Sequence, residues 1–189
     1  AAVLTVSAVT TTSISDAAPS GKQCPDGVLD DCFTKSEMPL YLEVAVDMVD
    51  DYLDEVAPGA RPAAVVYIPT GQQVTTACTD SRGSDTADAT AYQYCPVDDS
   101  VYIGQEELWR MYSSYGAISP VVGLAHEYGH FVQDLADVPD PANRVESIRH
   151  ENQADCFAGA FARDLGSRGN LEYRKDLDNV DALMHYLGS

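Results

Sequence analysis

Two pairs of residues restrict how this chain can fold. His126 and His130 stand four residues apart, and so do Glu151 and Asp155. Residues at that spacing share one face of an α-helix. The surrounding sequence agrees with helix at both places. Pro120 to Leu135 reads as one strong helix and Val145 to Leu165 as a second, with Pro139 and Pro141 marking the loop between them. With the two helices in register, four polar side chains meet in one place. The expected fold brings those two faces together.

The residue types at these positions point to metal chemistry. His126-Glu127-Tyr128-Gly129-His130 is an H-E-x-x-H sequence, in which two imidazoles bind one ion and the glutamate beside the first ligand takes a proton from bound water. Catalytic zinc commonly takes three protein ligands and keeps a fourth position open. Glu151 supplies the third ligand in this reading, and Asp155 accepts the other ring N–H of a ligating histidine, His126. A metzincin-type third histidine is absent, since positions 133 and 136 are Gln133 and Ala136. His150 is a rival ligand, one position off the face that Glu151 shares with Asp155.

Composition narrows the partners. Eleven basic and thirty acidic side chains leave a net charge of −19. That excess argues against binding nucleic acid, where lysine and arginine must neutralise phosphates, and against anionic lipid. No apolar stretch approaches the length of a transmembrane helix. Hydrophobic residues make up 45% of the chain, enough for a folded core, so disorder is not expected. The expected partner is a peptide or protein substrate; the sequence does not give the oligomeric state.

Five cysteines leave at least one unpaired. Cys24 and Cys32 flank one turn-rich stretch, and Cys78 and Cys95 flank another. Disulfides Cys24–Cys32 and Cys78–Cys95 are expected, which points to an exported protein, secreted or in the cell envelope. Cys156, in a helical run, is expected to be a buried thiol.

Residues 1–35 read as an extension or loop, and 36–189 as one domain. Ala1–Ser20 lacks a positive n-region and is expected to be a tether or the start of a mature chain. A helix is expected from Ser36 to the Pro58-Gly59 stop, with an apolar stripe of Leu40, Val44, Met48 and Leu53 together with Tyr41, Ala45 and Tyr52. Ala63–Ile68 should be a buried strand, Gly71–Ala91 a loop, Ser100–Ile103 a short strand and Gln105–Tyr115 a helix. A last helix is expected over Leu171–Leu187. The order of these elements predicts an α+β fold.

Three segments resemble the putative neutral zinc metallopeptidase family of bacteria: Ala125–Gln133, Glu151–Gly159, and Tyr94-Cys95-Pro96 with Val101-Tyr102-Ile103. The resemblance covers roughly residues 60–165. It implies a zincin-like fold of gluzincin type: a small N-terminal sheet whose edge strand packs on the active-site helix, with a second metal-ligand helix beside it. It also implies one catalytic Zn2+ held by His126, His130 and Glu151, with Glu127 as base. The expected activity is endopeptidase cleavage by a zinc-activated water. The alternative is a metal- or partner-binding module with little or no proteolysis. By the same resemblance, Val101, Tyr102 and Ile103 are the candidate substrate-pairing edge strand. Tyr173 and His185, in the C-terminal segment, are candidate oxyanion donors.

Overall fold

A computed structural model describes residues 32–79, 83–168 and 178–182. After a 3-10 turn at Lys35–Glu37, the chain runs α1 (Met38–Val56), β1 (Ala64–Ile68), β2 (Gln73–Thr75), β3 (Thr86–Asp88), β4 (Tyr92–Cys95), β5 (Ser100–Gly104), α2 (Gln105–Tyr115), α3 (Ile118–Leu135) and α4 (Arg144–Ser167). Residues 178–182 are helical. The fold is α+β, as expected: four helices packed with a three-stranded sheet of order β1-β5-β4, and a separate β2–β3 ribbon.

Helix α3 is the centre of this arrangement. Its first eight residues, from Ile118 to Ala125, are all buried. A helix apolar on every side must be surrounded, and α1, α2, α4 and β4 all touch it. The same helix carries the H-E-x-x-H residues from its ninth position onward, directly after this enclosed stretch.

Helix α1 forms where expected, and Tyr41, Ala45 and Leu53 of its expected stripe face inward, but Leu40 does not. Met38, Tyr41, Leu42, Ala45, Val49 and Leu53 are enclosed, whereas Leu40 is 56% exposed. Tyr41 decides the orientation. Its hydroxyl donates to the Ala117 carbonyl at the start of α3, and its ring meets Phe33 and Tyr112 edge-on. An aromatic cluster with a buried hydrogen bond outweighs the leucine that it turns outward.

Strand β1 pairs parallel to β5, and β4 pairs antiparallel to it. Strand β5 is therefore central, and all five of its residues are buried. This corrects the expectation that Val101, Tyr102 and Ile103 form an edge: both sides of their strand are already hydrogen-bonded. It also corrects β1, which is an edge strand and only partly buried rather than a core strand. The polar stretch read as a loop contains the short β2–β3 ribbon. Each strand there is three residues long, too short for alternation to show. The Cys78–Cys95 disulfide forms as expected and ties the segment after β2 to the buried end of β4.

Candidate metal centre

Helices α3 and α4 cross in close contact, and one glycine permits it. A Cβ placed on Gly129 would lie 2.8 Å from Ala154 Cα and 3.0 Å from the Ala154 carbonyl oxygen. Only a residue without a side chain fits there. Helix α4 begins under local control, because the Asn143 side chain accepts from the Val145 and Glu146 N–H groups and caps it.

At that crossing His126, His130 and Glu151 converge. The Nε2 atoms of His126 and His130 are 3.1 Å apart. Glu151 Oε2 lies 3.3 Å from His126 Nε2 and 3.5 Å from His130 Nε2. Two donor atoms bound tetrahedrally at about 2.0–2.1 Å from a zinc ion stand about 3.3 Å apart. The spacing of all three pairs fits that geometry. Among the described residues these three form the group of ligand atoms suited to one ion.

The hydrogen bonds behind the rings support the same fit. His126 Nδ1 meets Asp155 Oδ1 at 2.9 Å, and His130 Nδ1 meets Gln133 Oε1 at 2.9 Å. Both partners are oxygens that accept, so each Nδ1 carries the hydrogen and each neutral ring turns a bare Nε2 inward. Two lone pairs and a carboxylate then face one another with no donor between them. Such a site requires a cation, either protons or a metal ion.

Without metal, protons do this work. Burial disfavours charge on His126, but the hydrogen bond to Glu151 and the charges of Glu127 and Asp155 outweigh it and raise the pKa to about 9. His130 shifts upward as well: burial opposes it, while Glu151, Glu127 and Gln133 drive it. Hydrogen bonds to the two histidines hold Glu151 well below the usual carboxylate range.

Glu127 faces the neighbouring cavity of about 390 Å³, which His126, Glu151, Asp155, Tyr92 and Met111 also line. Burial pushes its carboxyl upward, against the pull of the two histidines and a backbone donor. That donor is the Tyr94 N–H, 2.7 Å from Glu127 Oε2. The register explains why it is available. Gly104 N–H donates to the Ala91 carbonyl, so alternation along the pair leaves the backbone groups of Tyr92 and Tyr94 on the free side of β4. Among the described residues, the edge strand beside the motif is β4, not β5.

His150 does not join the donor group. Its ring stacks on His130, centroids 5.4 Å apart and 16° from parallel. Cys156 is exposed, not buried. It lies two residues from both Ala154 and Ala158, about 200° around the helix from each, and those alanines are the ones packed inward. Cys24, Tyr173 and His185 lie outside the described residues. Sequence reading missed three contributors: Gln133, Gly129 and the Tyr94 N–H. Gln133 stands three residues after His130 on the same helical side, a spacing that flags a side-chain partner. The Tyr94 contact has no local signal.

Residues 57–185 match the sequence profile of the family described as "Putative neutral zinc metallopeptidase". The chain belongs to that family. Among curated proteins it is similar to the uncharacterized protein YpfJ of Escherichia coli K12, 33% identical over 93 residues, covering 42% of this chain and 32% of that protein. It is also similar to the uncharacterized protein Rv2575 of Mycobacterium tuberculosis H37Rv, 38% identical over 79 residues, covering 36% of this chain and 27% of the relative. The chain thus spans about a third or less of the length of the curated relatives it matches. No solved structure matches. Among the described residues of this metallopeptidase-family chain, no helix is long and apolar enough to cross a membrane.

Proposed function

We propose that this chain is a zinc-dependent endopeptidase domain in which His126, His130 and Glu151 hold one Zn2+ and Glu127 is the general base. The observation that carries the reading is the convergence of His126 Nε2, His130 Nε2 and Glu151 Oε2 at 3.1–3.5 Å, the separation of ligand atoms around one zinc ion. Membership of a family described as zinc metallopeptidases supports the metal and the substrate class. Zinc, when bound, acidifies water and polarises a carbonyl. Glu127 accepts the proton of the attacking water and passes it to the leaving amine. Burial raises its pKa, the direction that favours holding a proton between the two transfers. Asp155 holds His126 in orientation through Nδ1.

The free side of β4 offers the backbone groups of Tyr92 and Tyr94 to an extended peptide, which would add as a strand. In that mode the Tyr94 N–H is shared between Glu127 and substrate. The Cys78–Cys95 disulfide supports an oxidising location, and we place the protein outside the cytosol.

The test compares wild type with Glu127→Gln on a mixture of unstructured peptides, after zinc content is measured. Both proteins should bind one zinc per chain, and turnover should fall at least about 100-fold in the variant. Equal turnover by the two would refute the role of Glu127. Full zinc binding with no peptide cleavage by wild type would favour a metal-binding module instead.

A further inference from the structure

The two histidines are supported differently. Behind His126 stands a carboxylate, Asp155. Behind His130 stands a neutral amide, Gln133, only 6% exposed. The amide's orientation can be deduced. Its nitrogen lies 2.7 Å from the His150 carbonyl oxygen and 3.1 Å from Gln153 Oε1. A backbone carbonyl only accepts, so the atom facing it is the NH2 group. The side-chain oxygen therefore faces His130, and an oxygen without hydrogen only accepts. His130 Nδ1 must then carry the hydrogen, which leaves Nε2 bare and aimed at His126 and Glu151. Burial keeps water from substituting for either contact.

The two ends of this amide also reach different helices. Gln133 lies on α3, and the carbonyl it binds belongs to the residue before Glu151 on α4. One side chain thus orients one proposed ligand and braces the backbone next to another.

We infer that Gln133 is a positioning residue that locks His130 in the Nδ1–H tautomer, with its orientation imposed by the His150 carbonyl. This rests on the metal-centre reading for its consequence, but the tautomer itself does not depend on any bound ion.

Gln133→Leu removes all three contacts. Gln133→Glu keeps an acceptor for His130 but sets an oxygen, in place of the NH2 group, against the His150 carbonyl and Gln153 Oε1. Zinc affinity is read by chelator competition, and the His130 tautomer by nitrogen-15 NMR of the metal-free protein at a pH where the ring is neutral. Gln133→Leu should weaken zinc by about 10- to 100-fold and show a mixture of tautomers. Gln133→Glu should keep Nδ1–H and lose less zinc affinity than Gln133→Leu. Wild-type zinc affinity in a folded Gln133→Leu protein would overturn the inference. So would equal losses in the two variants, which would mean that the amide only braces the helices. If Leu prevents folding, the Glu variant and wild type still decide: a His130 Nε2–H tautomer in either one overturns it. Failure of wild type to bind zinc would sink the metal-centre reading while leaving the tautomer result to judge Gln133.

Discussion

Substituting Gly129 with alanine should damage metal binding more than it damages the fold. The added Cβ would stand 2.8 Å from Ala154 Cα, 3.0 Å from its carbonyl oxygen and 3.1 Å from its Cβ. Carbon atoms rest about 3.5–4.0 Å apart, so α4 must retreat by roughly 0.5–1 Å. Overpacking of that size costs about 1–3 kcal/mol. Replacing glycine inside a helix returns about 1 kcal/mol, which leaves a net loss of about 0–2 kcal/mol. The metal site has less tolerance, since donor distances hold to about 0.2 Å. Glu151 lies one turn from Ala154 on the helix that retreats, so its carboxylate moves away from both Nε2 atoms. Zinc affinity should fall about 10- to 100-fold. The assay pairs denaturant unfolding of the metal-free protein with zinc competition against a chelator. Gly159→Ala is the control, because nothing lies within 4 Å of its added Cβ and it sits on the same α4. It should gain up to about 1 kcal/mol with unchanged zinc affinity. A Gly129→Ala protein that binds zinc as wild type does would refute the argument that this crossing sets the ligand spacing.

Two further outcomes follow from the same structure. His126 has a folded pKa of about 9 against an unfolded value near 6.5, so its charge stabilises the metal-free protein below about pH 6.5, and that stabilisation is lost as pH rises to about 9. Zinc must displace this proton. Apparent affinity should therefore rise about 50-fold from pH 7 to pH 9, with proton release visible when calorimetry is repeated in buffers of different ionisation enthalpy; a flat profile would contradict it. Replacing both Cys78 and Cys95 with alanine opens a loop of sequence separation 17 and should lower unfolding stability by about 2–4 kcal/mol. Unchanged denaturation midpoints would show that the bridge does not constrain the unfolded chain.

How much of this was legible beforehand depends on the range of each contact. His126 with His130, and Glu151 with Asp155, are related by helical geometry alone, and the sequence carries that relation in full. The Asp155 partnership with His126 followed once both helices were assumed to face each other. Helix ends at Pro58, Gly116 and the Pro139–Pro141 loop were local too. Other features depended on neighbours far along the chain. The resemblance points to Val101–Ile103 as the edge, and nothing within Ser100–Gly104 says that β1 and β4 flank it on both sides. The inward face of α1 turned on a tyrosine hydroxyl reaching a carbonyl 76 residues away. Cys156 faces solvent because its neighbours two residues away on either side face α3.

The sequence by itself determined the chemistry: which side chains can bind a metal, which carboxylate stands beside the first of them, and that both groups ride on helices. Those facts depend on residue identity and on spacings within a single turn. The tertiary structure decided how the groups are held. It made β4 the free strand, set its Tyr94 N–H against Glu127, brought α4 onto Gly129, and placed Gln133 between His130 and the backbone beside Glu151. Each of these is a meeting of segments remote in sequence, set by how the helices and strands pack rather than by any local pattern.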